Sequence, residues 1–116
     1  MIDDNEDIST AFSKYFIYKD HDCSVSNDGE NALSMIENNS FDVILMDLAM
    51  PNFSGYDIVE SLYNRNLINN KLIVVLTASS ISEEDKTDLK KRGVHSVLKK
   101  PIDPDELLDY ISTIKK

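Results

Sequence analysis

The chain has 116 residues, 12 Lys/Arg against 21 Asp/Glu, and a formal net charge of −9. That length fits one domain over residues 1–116. The acidic balance argues against direct binding of nucleic acid or docking on anionic membranes, since both require a basic face. Cys23 is the only cysteine, which excludes an internal disulfide and a thiolate zinc site. No apolar run approaches the ~18 residues of a spanning helix. The acidic start Met1-Ile2-Asp3-Asp4-Asn5-Glu6-Asp7 lacks a signal peptide's basic and apolar regions. A cytoplasmic, reducing compartment is therefore expected, and a receptor's cytosolic tail would read the same way.

Along the chain two periods alternate. Ile8, Ala11, Phe12, Tyr15 and Phe16 fall at helical spacing and predict an amphipathic helix over about residues 5–18. Cys23 and Val25 alternate with polar neighbours, the pattern of a short edge strand. Asp28 is placed to cap a second helix carrying Ala32, Leu33 and Ile36. Phe41 to Met46 is a nearly continuous apolar run ending in Asp47, as in a strand covered on both faces. Ser54-x-x-Asp57 has the form of a capping box before Ile58, Val59 and Leu62.

Leu72 to Leu76 is a second apolar run, closed by Thr77. Ser82-Glu83-Glu84-Asp85 opens a fourth helix that runs through Lys90-Lys91-Arg92 and stops at Gly93, an order that suits the helix dipole. Ser96 to Lys99 reads as a last short strand. Asp103-Pro104 reads as a cap with proline at the first helical position, opening a helix with Leu107, Leu108, Ile111 and Ile114. Alternating strands and helices predict a doubly wound α/β fold, with five helices covering both faces of a parallel sheet.

Chemistry in such folds gathers at the carboxyl ends of the strands. Asp3 and Asp4, Asp47, Thr77 and Lys100 all fall at predicted strand ends. Carboxylates about 4 Å apart repel by roughly 4 kcal/mol at an effective dielectric near 20, so such a group calls for a cation. An oxygen ligand set with no His or Cys nearby suits Mg²⁺, Mn²⁺ or Ca²⁺ rather than zinc. Lys100 and the Thr77 hydroxyl are suited to phosphoryl oxygens, and one carboxylate to nucleophilic attack that forms an aspartyl phosphate. Taken singly, each residue has a plainer reading. Asp3-Asp4 can cap a helix, Asp47 can close a turn, Thr77 can be a β-former and Lys100 a solvated base. Their common rim is what argues for chemistry. His21 and His95 have no ligand spacing, Met46 and Met50 read as packing residues, and Cys23 has no histidine partner that would make it a nucleophile.

The fragments Ile2-Asp3-Asp4, Met46-Asp47-Leu48-Ala49-Met50-Pro51-x-x-x-Gly55, Leu76-Thr77-Ala78 and Lys100-Pro101 resemble the receiver domain of two-component response regulators, in order and over essentially the whole chain. The resemblance implies a flavodoxin-like five-stranded sheet of order 2-1-3-4-5. It implies that Asp47 is the phosphoacceptor and that Asp4, Asp47 and the Ala49 backbone carbonyl bind Mg²⁺ directly, with Mn²⁺ an acceptable substitute. It further implies that Asp3 acts on the metal through water, that Thr77 is the switch hydroxyl, and that Lys100 contacts the phosphoryl group and is followed by a cis bond to Pro101. Pro51 and Gly55 are implied to shape the loop beside Asp47. Small neutral residues, Ala49 and Ser79, flank the path of a hydrolysing water.

The implied function is that of a phosphorelay signalling domain, not a turnover enzyme beyond its own phosphorylation and dephosphorylation. Its implied partners are a sensor histidine kinase or histidine phosphotransfer protein and a downstream output protein or domain. The alternative is a pseudo-receiver that binds partners without phosphorylation, against which the intact residue set argues. Nothing in the residues points to a dimer, although the face of the last helix offers a surface for one. Three departures stand out. Only Met1-Ile2 precede the acidic pair, so the first strand is short or trimmed and the fold is expected to lose stability. Val97 occupies a place where the family often has an aromatic switch partner. Asn5 replaces a common acidic residue, with little expected consequence for the metal. No output segment follows Lys116, which leaves open a stand-alone receiver, the receiver end of a hybrid kinase or an excised domain.

Overall fold

The structure is a computed structural model and describes residues 1–50, 52–69, 71–78 and 81–115. Its elements run α1 Glu6–Tyr18, α2 Gly29–Asn38, β1 Ile44–Asp47, α3 Gly55–Asn64, β2 Ile73–Thr77, α4 Glu83–Arg92, β3 Ser96–Lys99 and α5 Pro104–Ile114. The five helices begin where local chemistry starts them. Asp28, Ser82 and Asp103 each accept a backbone N–H of the first turn, and Ser54 and Asp57 form a reciprocal capping box. Asn5 caps α1 by accepting the Ile8 N–H at 3.1 Å, a role the sequence reading did not give it. α4 buries only Leu89 and is supported instead by its caps. Its first turn is acidic and its last turn basic, and Gly93 closes it at φ 119°, where a side chain would be strained.

β1, β2 and β3 pair in parallel, with Asp47 beside Leu76 and Thr77 beside Lys99. Alternate strand residues point to opposite faces and feed two cores. Ile44, Met46, Ile73 and Val75 pack with Ala32, Ile36, Ile58, Val59, Leu62 and Leu89, so α2, α3 and α4 cover one face. Leu45, Val74 and Leu76 pack with Phe16, Leu107 and Ile111, so α1 and α5 cover the other. Met46 and Met50 are buried packing residues, as expected.

The five-stranded expectation needs correction. Among the described residues three strands are extended, and the two remaining positions are reduced to single parallel bridges, Ile2 to Ser26 and Ile2 to Met46. The reason is the short run ahead of Asp3. On the β1 side Ile2 donates its N–H to Leu45 and accepts the Asp47 N–H at its carbonyl, while on the other side Met1 and Asp3 bond to Ser26. The segment of Cys23 and Val25 is met only by the first residues, through Met1 to the Ser24 carbonyl and to Ser26, and does not form the expected edge strand. A cavity of about 320 Å³ lies beside that gap, with Met1, Phe16, Cys23, Val43 and Leu45 in its wall.

The start of α3 lies directly against the end of β1. The Gly55 N–H donates to the Leu48 carbonyl at 3.1 Å. A Cβ at Gly55 would stand 2.6 Å from the Asp47 carbonyl oxygen and 2.9 Å from Leu48 Cα. Both are backbone atoms and cannot rotate away. Gly55→Ala is expected to lower stability by about 1–3 kcal/mol through overpacking, despite the better helix propensity of alanine. A urea midpoint at or above that of the unsubstituted chain would show that α3 shifts freely.

Candidate functional site

Asp47 is the last residue of β1, and its backbone N–H donates to the Ile2 carbonyl at 2.9 Å. That rung brings the Asp3-Asp4 segment alongside it. Carboxylate oxygens of Asp3, Asp4 and Asp47 lie within 4.8 Å of one another. Asp4 is exposed, whereas Asp3 and Asp47 are only 1% and 8% accessible. Lys100, one residue beyond β3, reaches back across the rim. Its Nζ donates to Asp3 Oδ2 at 2.6 Å and stands 3.7 Å from Asp47 Oδ2. Its backbone N–H donates to the Thr77 carbonyl at 2.8 Å, which ties the lysine to the end of β2. Thr77 is buried there. The Lys100–Pro101 peptide bond is cis.

The predicted residues Asp3, Asp4, Asp47, Thr77 and Lys100 are thus brought to one rim by the parallel register. Ala49 is exposed just past β1, and its N–H donates to Asp47 Oδ1 at 3.3 Å. Gly55 borders the site through the contact described above. Pro51 and Ser79 lie outside the described residues. Val97 is half-buried against the core on the α2–α4 face. His95 is exposed and His21 half-buried, both away from the rim.

Two features of the site escaped the sequence reading. Lys100 engages Asp3 more closely than Asp47. The Asp3 backbone is also held by a side chain: Asn27 Nδ2 donates to the Asp3 carbonyl at 2.6 Å and to Ser9 Oγ at 2.9 Å. The visible signal was the polar run Ser26-Asn27-Asp28 after a weak strand pattern, which reads equally well as a plain turn.

The Asp47 carboxyl is held above the ordinary carboxylate range. Burial is the main cause, and the charges of Asp3 and Asp4 add to it. Lys100 and the Ala49 N–H oppose the shift. Among the described residues, three crowded carboxylates against the Lys100 ammonium leave an unbalanced negative charge. A hard oxygen donor set of this kind fits a divalent cation such as Mg²⁺.

Residues 1–112 match the model of the response regulator receiver domain. The chain belongs to the response regulator receiver family of two-component systems. The Staphylococcus aureus response regulator SaeR is 30% identical over 98% of the chain. A probable transcriptional regulator of Pyropia yezoensis, ycf29, is 27% identical over the same share. The chain spans about half of each of these relatives, 48% and 51%. Among solved structures, the receiver domain of the Francisella response regulator 1452 superposes with a TM-score of 0.85 at 31% identity, covering 97% of this chain and 91% of that one. The shared fold is the flavodoxin-like one expected for a receiver.

Two outcomes follow for this receiver. A carboxyl whose folded-state pKa lies above its unfolded value stabilises the fold at low pH and loses that contribution as pH rises through the folded value. In EDTA, Asp47→Asn is therefore expected to be more stable than the unsubstituted chain at neutral pH. The advantage should shrink to nothing as pH falls below the carboxylate range, as read from urea midpoints across pH. Lys100→Met strands the buried Asp3 carboxylate without its cation. It is expected to cost about 3 kcal/mol in the same assay at neutral pH, and an unchanged midpoint would mean that Asp3 is compensated elsewhere.

Proposed function

We propose that this receiver accepts a phosphoryl group on Asp47 from a phosphohistidine of a sensor histidine kinase or histidine phosphotransfer protein. The observation that carries the reading is the cluster of buried Asp3 and Asp47 with exposed Asp4, and Lys100 spanning the two buried carboxylates. A carboxylate oxygen of Asp47 forms the new P–O bond as the P–N bond to the donor imidazole breaks, and the imidazole leaves with the electron pair. Asp47 is suited to this role because it is the acceptor nearest the open end of β1, fixed in direction by the Ala49 N–H. Asp4, Asp47 and the Ala49 carbonyl would hold Mg²⁺, or Mn²⁺ in its place, with Asp3 acting through water. The bound ion supplies positive charge to the carboxylates and to the incoming phosphoryl oxygens.

Lys100 is already tethered within reach. Leaving Asp3 for a phosphoryl oxygen exchanges one charge-assisted hydrogen bond for another. The Thr77 hydroxyl serves a second oxygen. The product carries close to two negative charges, and its pull on Thr77 and Lys100 biases the surface built by α4, β3 and α5 between two populations. With Val97 in place of an aromatic, that shift runs through Thr77 and the lysine. The site acts in signalling from the cytoplasm as one domain over residues 1–116, hands its state to an output protein or domain, and itself contacts no nucleic acid. The bridges at Ile2 support a strand order of 2-1-3-4-5 in which the first two members are vestigial.

Intact mass after incubation with a small-molecule phosphodonor tests the reading. One phosphoryl adduct is expected that requires Mg²⁺ and is absent from Asp47→Asn. A folded chain that takes no adduct would favour a binding module that works without phosphorylation.

A further inference from the structure

In a regular parallel sheet the carbonyl of Asp3 would receive a backbone N–H from the neighbouring strand. Here the ladder, which runs from the Met1 amine to the Ser24 carbonyl at 2.7 Å and from the Ser26 N–H to the Met1 carbonyl at 3.0 Å, ends with the Asp3 N–H to the Ser26 carbonyl at 3.1 Å. The next backbone donor, the Asp28 N–H, faces Ser26 Oγ at 3.4 Å instead. The Asp3 carbonyl is served by the side chain of Asn27, whose Nδ2 donates to it at 2.6 Å. A carbonyl only accepts, so the amide nitrogen, not its oxygen, must face Asp3. The second Nδ2 proton goes to Ser9 Oγ at 2.9 Å, a fully buried hydroxyl on α1 that donates in turn to the Glu6 carbonyl at 3.2 Å. Both donors of one amide are therefore used to fasten the acidic segment to the first helix.

We infer that Asn27, braced by Ser9, is a positioning residue that presets the Asp3-Asp4 pair for a divalent cation, in place of the next rung of the ladder. The inference rests on the reading of the acidic cluster as a cation site. The Asp3 side chain is held at both oxygens, by the Asn5 N–H at 2.9 Å and Lys100 Nζ at 2.6 Å. Its main chain thus sets where Asp4 stands relative to Asp47. Polar groups behind metal ligands that fix their orientation typically contribute 10–100-fold to metal affinity.

Calorimetric titration of the folded chain with MgCl₂ alone tests this without any phosphorylation. Asn27→Asp keeps the size and shape of the side chain but has no proton for the Asp3 carbonyl, and it adds a negative charge. Charge alone would tighten Mg²⁺, whereas loss of positioning weakens it, so the two accounts differ in sign. The expected result is an affinity about 10-fold weaker or more, with a smaller fall for Ser9→Ala, which removes the brace and leaves the bond to Asp3. Circular dichroism establishes that each variant is folded. If Asn27→Asp does not fold, Ser9→Ala carries the test alone. Unchanged or tighter Mg²⁺ binding in the folded variants would overturn the inference while leaving the cation site standing. Absence of Mg²⁺ binding by the unsubstituted chain would overturn both.

Discussion

The arrangement of this receiver turns on the crowding of three carboxylates at one end of a small sheet. Two of them, Asp3 and Asp47, are almost fully buried. Carboxylates at such separations repel by several kcal/mol at protein-like dielectrics, and burial adds a desolvation cost. The Lys100 charge by itself does not balance them, and it sits closer to Asp3 than to Asp47. Burial first, and the charges of Asp3 and Asp4 second, push the Asp47 carboxyl above its ordinary value. Such crowding of oxygen donors fits a divalent cation, which would balance the charge.

The crowding is enforced from several directions at once. Parallel pairing of β1, β2 and β3 delivers Asp47, Thr77 and Lys100 to one rim. The Lys100 N–H fixes the lysine backbone to Thr77, and the Asp47 N–H fixes β1 to Ile2. Gly55 lets α3 start hard against the Asp47 carbonyl, where any side chain would collide with backbone. The acidic pair is the least conventionally held part, because its strand is a single residue bridged on both sides. Side-chain amide and hydroxyl bonds through Asn27 and Ser9 fasten it instead.

Match to the receiver family over residues 1–112 places these contacts in a signalling context. The two cores flank the strands that carry the rim residues. β2 and β3 lie between them, with α4 packed on one side and α5 on the other.

What the sequence determined by itself was whatever rests on near neighbours. The caps Asp28, Ser54 with Asp57, Ser82 and Asp103 were legible because a cap bonds to residues two or three places on. The apolar runs ending in Asp47 and Thr77 announced buried strands because a doubly covered strand has no polar face to show. The rim residues were legible as candidates because strand ends can be read from those runs. Tertiary structure alone decided the rest. Whether Cys23 and Val25 form a strand depends on a partner more than twenty residues away, and Ile2 supplies only one rung. Which acid Lys100 favours depends on the distance between chain segments 97 residues apart, and sequence carries no distances. The role of Asn27 was not legible because its two partners, Asp3 and Ser9, belong to other segments and meet it only once the sheet and α1 have packed.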